Sequence, residues 1–144
     1  MSISATLYGG VLESLANKEI DLGSDTLNVM LLTSSYVPSD THRYLSDLTG
    51  EAVGTGYTSG GKTLTGVTVT YNTGTKTLTV DADDISWSSS TLTARYAAIV
   101  DVTPGSASTN PLISYVDFGA DVSDTNGTFQ INWNAAGIAT VSHA

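Results

Sequence analysis

Between Lys62 and Trp87 polar and apolar residues alternate with a period of two on either side of a turn. Val67, Val69 and Tyr71 fall on one face of an extended segment, with Thr68 and Thr70 on the other. After Asn72-Thr73-Gly74-Thr75 the alternation resumes, Leu78 and Val80 standing against Thr77 and Thr79. Alternation about a short Asn/Gly-containing link predicts a β-hairpin with a threonine-covered solvent face.

The rest of the chain divides by the same test. Leu7, Tyr8, Val11, Leu12 and Leu15 recur at helical spacings and predict a short helix over residues 5–17, weakened by Gly9 and Gly10. Residues 26–33 form a strand-length apolar run bounded by Gly23-Ser24-Asp25 and Ser34-Ser35. Pro38-Ser39-Asp40, followed by Tyr44, Leu45 and Leu48, predicts one or two helical turns. Residues 50–61, rich in Gly, Ser and Thr, read as an exposed loop or an irregular edge. Further strands are expected at 91–101, 112–118, 128–133 and 138–141, with loops over 103–110 and 120–127, where Ser, Gly, Asn and Asp gather. This predicts a single mainly β domain over residues 1–144, an antiparallel β-sandwich or open barrel with one or two short helices in the N-terminal half.

Composition narrows the function. Only 13 % of residues are charged, against ~25 % in an average soluble protein. The net charge is −9, with 14 acidic and 5 basic residues. Lys18, Arg43, Lys62, Lys76 and Arg95 are scattered, and nucleic-acid binding needs clustered cations to displace phosphate counterions. Neither nucleic acid nor an anionic membrane is an expected partner. The chain has no cysteine, so neither disulfides nor thiolate metal sites enter. Its first residues lack the basic-then-apolar order of a signal peptide, and no run is long and apolar enough to span a bilayer.

Candidate chemistry is sparse. Asp81, Asp83 and Asp84 are the densest acidic group and have the composition of a hard-cation site, but without the Gly and later Glu of an EF-hand loop they read as a solvated turn. His42 and His143 have no nearby nucleophile motif, and His42 beside Arg43 reads as a surface residue. Residues 56–63 formally fit G-x-x-x-x-G-K-[ST], yet the following segment is strand-like where a phosphate loop needs a helix. Trp87 and Trp133 suit either a sugar-stacking platform or a core or subunit contact, the latter favoured. No catalytic residue, metal ligand or cofactor is expected, and the chain does not read as an enzyme.

Several segments in order carry a resemblance: LYGGVLESLANKEIDLGSDTLNVMLLTSSY, HRYLSDL, LTVDADDISWSSSTLTARYAAIV, PLISYVDFG and FQINWNAAGIATV. From about Leu7 to Val141 the chain resembles small structural virion proteins of tailed bacteriophages, most of all the capsid decoration or cement proteins. The resemblance implies a protein that binds the outer surface of the assembled head and stabilises contacts between major capsid protein subunits. It also implies a homotrimer, assembly in the bacterial host cytoplasm and a place on the capsid exterior. Residues 1–8 are an expected docking arm, with Ile3, Leu7 and Tyr8 as partner-docking residues, because they precede the main sheet.

Two other readings compete. A tail or tail-fibre component would contact host glycans through Trp87, Trp133 or an exposed Tyr. A small cell-wall hydrolase would need two acting carboxylates, and the few Glu residues offer no organised acid/base pair.

Overall fold

The computed structural model describes residues 2–3 and 5–144, with side chains from Ala5 onward. In chain order its elements are β1 (Ser2–Ile3), β2 (Thr6–Leu7), α1 (Val11–Ala16), β3 (Leu27–Leu32), a 3-10 turn (Leu45–Asp47), β4 (Lys62–Thr63), β5 (Thr68–Asn72), β6 (Thr77–Asp81), β7 (Ile85–Asp101), β8 (Leu112–Trp133) and β9 (Ala139–Ser142). They form two open sheets. The larger runs β1-β8-β7-β3-β4 with β2 also on β8, and the smaller runs β5-β6-β9. All pairings are antiparallel except that of β1 with β8. The fold is therefore mainly β and sandwich-like, not a closed barrel.

The β7–β8 hairpin is the spine of the larger sheet. Its strands run 17 and 22 residues, well beyond the usual strand length of about 5–6. Residues 120–127, expected as a loop, belong to β8. The turn-forming residues there are absorbed by irregular pairing. Between the pairs Ala94–Val122 and Tyr96–Asp117, β7 inserts Arg95 alone, whereas β8 inserts Phe118, Gly119, Ala120 and Asp121. A bulge of this kind bends and twists a strand without ending it. Beyond the bulge, side chains replace lost ladder bonds. The Asp124 carboxylate accepts from the Leu92 amide at 2.8 Å and from the buried Ser90 hydroxyl.

The expected helix is shorter than predicted. Thr6 and Leu7 pair with Tyr115 and Ser114 of β8 instead of coiling, and only Val11–Ala16 is helical. Gly9 and Gly10, poor helix formers, mark the boundary. The second helical element is the single 3-10 turn. Asp47 closes it by accepting the Arg43 and Tyr44 amides at 2.8 and 3.0 Å.

The main core lies between the sheets, and smaller clusters around Met30 and Leu32 fill the opposite face of the larger sheet. Val29, Leu31, Ala97, Ile99, Ile113, Val116 and Ile131 of the larger sheet pack with Ile138 and Ala139, which lead into β9. Trp87 and Phe129, partners across β7 and β8, meet edge to face with ring centres 6.1 Å apart. Burying each such large apolar side chain contributes about 1.5–3 kcal/mol. Both tryptophans are inside, Trp87 at 5 % exposure and Trp133 at 6 %.

Candidate interaction surface

The smaller sheet carries the alternation read from the sequence onto two different faces. Its register pairs Val69 with Val80, Tyr71 with Leu78, and Leu78 with Val141. In an antiparallel pair opposed residues share a face. Val69, Tyr71, Leu78, Val80, Ala139 and Val141 thus make one apolar face, and Thr68, Thr70, Thr77, Thr79 and Thr140 make the other. The apolar face is only partly covered. At one end Ala139 and Val80 close against Leu27, Leu64, Ile99 and Ile113. Toward the other end Val69, Tyr71 and Val141 remain 39 %, 49 % and 37 % exposed.

Beside the open end lies a groove of about 540 Å³, walled by Leu15, Ile20, Leu22 and Gly23 opposite Val69 and Leu78. The Tyr71 hydroxyl lies 2.6 Å from Nε2 of His143, and the two rings stack at 6.0 Å. The exposed part of this surface is therefore apolar, with the Tyr71–His143 pair at its margin.

The larger sheet presents a second feature. On the side away from β7, β8 pairs with β2 at Ser114 and Tyr115 and with β1 at Asn132 and Trp133. Among the described residues no strand covers that edge between these two contacts. The edge is guarded by the devices that discourage strand addition, a bulge and the acidic Asp117 and Asp121.

The expected docking residues fall elsewhere. Tyr8 is 2 % exposed, and its hydroxyl lies 2.8 Å from that of Tyr36, which in turn lies 2.9 Å from Nδ1 of His42. Burial pushes the Tyr8 and Tyr36 hydroxyls above the ordinary phenol range. Leu7 is half-buried against the core. β2 is part of the larger sheet, so Leu7 and Tyr8 have a burial site within the fold. The backbone of Ile3 pairs in β1, and its side chain lies outside the described residues. His42, expected at the surface, is half-buried and held by Tyr36.

The remaining candidates are structural. Asp83 accepts from the Thr65 hydroxyl at 2.9 Å, and its carbonyl accepts from the Trp133 indole at 3.0 Å; Asp84 accepts from the Trp133 amide at 2.8 Å. Among the described residues no group of three or more His, Cys, Asp or Glu side chains is placed to hold a metal. The Gly-rich loop is filled by a carboxylate. Glu51 accepts from the Tyr57 hydroxyl at 2.8 Å, the Ser59 hydroxyl at 2.9 Å and the Gly60 amide at 2.7 Å. Lys62 and Thr63 continue into β4, which pairs with β3, where a phosphate loop would open a helix.

The arginines are also spent internally. Arg43 binds Glu13 at 2.7 Å and Glu19 at 2.6 Å, joining α1 to the 3-10 turn, and Arg95 binds Asp117 at 2.8 Å across β7 and β8. The Tyr44 hydroxyl and Arg43 together hold the Glu19 carboxyl below its usual range, and Arg95 does the same for Asp117.

Sequence signals missed Asp101, at the end of β7. It is fully buried, its Oδ1 accepts from the Thr103 amide at 3.0 Å, and its Oδ2 has no hydrogen-bond partner. Burial, then contact with the Asp25 carboxyl, pushes its pKa up to about 7. A lone Asp ending an apolar run gave no warning of this. No family model, curated protein or solved structure matches the chain.

Proposed function

We propose that this chain is a decoration protein of a tailed-bacteriophage capsid, binding the outer surface of the head and stabilising contacts between major capsid protein subunits. The observation that carries a binding role is the half-covered apolar face of β5, β6 and β9, where Val69, Tyr71 and Val141 stay exposed beside a groove. Aromatic and aliphatic side chains on a rigid sheet are the groups that anchor protein interfaces. The assignment to phage heads rests on the ordered segments from Leu7 to Val141 that resemble decoration proteins. A homotrimer would repeat one modest contact several times on a symmetric shell, and repetition raises avidity through effective concentration.

The tail and glycan reading has less to stand on. Trp87 and Trp133 are core residues, and among the described tyrosines Tyr71 is the one exposed enough to stack on a sugar. Co-sedimentation of the purified chain with heads lacking it tests the proposal. The chain should saturate at a fixed ratio to capsid subunits, and Tyr71→Glu should abolish binding. Heads that take up none of the wild-type chain would overturn the reading.

A further inference from the structure

The smaller sheet runs β5-β6-β9, so β5 is one of its edges, and among the described residues it pairs only with β6. An edge strand presents alternate backbone N–H and C=O groups that have no partner in the sheet. The other edges are blunted. β4 is two residues long, and β8 carries the bulge with Asp117 and Asp121. Just before β9 the Ile138 carbonyl already accepts from the Ala5 amide at 3.0 Å. β5 has none of these devices. Its residues, Thr68 to Asn72, include no charge and no proline, are all exposed, and pair with β6 one by one without a bulge.

An edge of this kind accepts an extended strand, and the sequence of β5 fits β5 itself. Laid antiparallel on a second copy about Thr70, it sets Thr70 opposite Thr70, Val69 opposite Tyr71, and Thr68 opposite Asn72. Opposed residues share a face, so in this register apolar meets apolar, polar meets polar, and no like charges are opposed. A slip of one residue would mix the two faces.

Charge agrees at the ends of the contact. Antiparallel pairing brings the turn end of one hairpin beside the open end of the other. The turn end carries the exposed Lys76. At the open end the exposed Asp83 is fixed just before β5, where its carboxylate accepts from the Thr65 hydroxyl and its amide donates to the Thr65 carbonyl, both at 2.9 Å. Opposite charges therefore meet there, in a chain whose net charge of −9 otherwise opposes self-association.

We infer that β5 is a self-pairing edge: two copies of this chain join β5 to β5, antiparallel, across a two-fold axis at Thr70. Two three-stranded sheets then become one continuous sheet. Such a contact uses the same patch on both copies and closes on itself. It occupies the edge of the strand and leaves the apolar face of Val69, Tyr71 and Val141 open across both copies. It does not rest on the capsid assignment. A homotrimer would need a different surface, and pairing at β5 would join one such trimer to the next.

Sedimentation of the full chain over a range of concentrations, with hydrogen exchange of the residue 68–72 amides, tests the pairing. Association should grow with concentration, and alternate amides of β5 should gain protection with it. Thr70→Lys sets like charges on the two-fold axis and should weaken association at least about tenfold; Thr70→Glu should do the same. Thr70 is exposed, so both variants should fold. An equimolar mixture of the two should associate again, because opposite charges then face each other. A wild-type chain that stays a single copy would overturn the inference. So would association that Thr70→Lys leaves unchanged, or a mixture that associates no better than either variant. Amides of β5 protected only when capsid heads are added would also overturn it, giving the edge to a strand of another protein.

Discussion

The hydroxyls of Tyr8 and Tyr36 meet 2.8 Å apart in the interior, joining the N-terminal segment to the loop that follows β3. Tyr8 also packs on Tyr115, with ring centres 5.1 Å apart. The N-terminal segment is therefore a working part of the fold. Tyr8→Phe should cost about 0.5–1.5 kcal/mol, because Tyr36 keeps its bond to His42. Tyr8→Ala should cost about 3–5 kcal/mol by leaving a cavity. Urea unfolding measures both, and a neutral Tyr8→Ala would mean the residue is free to dock elsewhere.

Asp124 should matter more to stability than its place on an exposed strand suggests. Its carboxylate serves the Leu92 amide and the buried Ser90 hydroxyl where the β7–β8 ladder is irregular. Asp124→Ala leaves both donors without that acceptor and should cost about 1–3 kcal/mol in the same unfolding assay. The exposed Asp121, inside the β8 bulge, should be within about 0.5 kcal/mol of neutral when changed to Ala.

Gly61 and Gly60 should respond differently to the same change. Both have positive φ, 84° and 95°. A Cβ on Gly61 would lie 2.0 Å from the Val29 carbonyl oxygen, whereas one on Gly60 would meet nothing within 4 Å. Gly60→Ala should cost only the left-handed strain, about 1–2 kcal/mol. Gly61→Ala should cost clearly more, because the contact is with backbone of β3. Thermal unfolding of the two variants makes the comparison, and equal costs would contradict it.

The pH dependence of stability should have two limbs. Asp101 has a raised pKa in the folded state, so its contribution is full below the unfolded value and is lost as pH rises toward about 7. Stability should decline across that window by at most about 1.4 kcal/mol per pH unit from this group. Glu19, Asp47 and Asp117 have lowered pKa values; their contribution is present above the unfolded values and is lost as pH falls through the folded ones. Urea midpoints from acid to neutral pH should therefore flatten in Asp101→Asn over the upper window and keep the acid limb.

The hairpin of β5 and β6 was legible because alternation and turn chemistry agreed from Val67 to Val80. The continuity of β8 was not. Asp121, Asp124, Asn126 and Gly127 are the residues that ordinarily end strands, and only long-range pairing with β7, with Asp124 replacing a ladder bond, carries the strand through them. Helical spacing from Leu7 to Leu15 corresponds to a helix only from Val11 to Ala16, because pairing of Thr6 and Leu7 with β8 outcompetes the first turn. The two faces of the small sheet could be read from the sequence. Which of them would stay half-open, and that Asp101 would be buried, depended on contacts between distant segments.

Cryo-electron microscopy of intact particles that contain this chain tests the central claim most directly. The account predicts density for this fold on the outer capsid at three-fold or related positions, with Val69, Tyr71 and Val141 turned into the contact. Density found only along the tail or at its tip would contradict it.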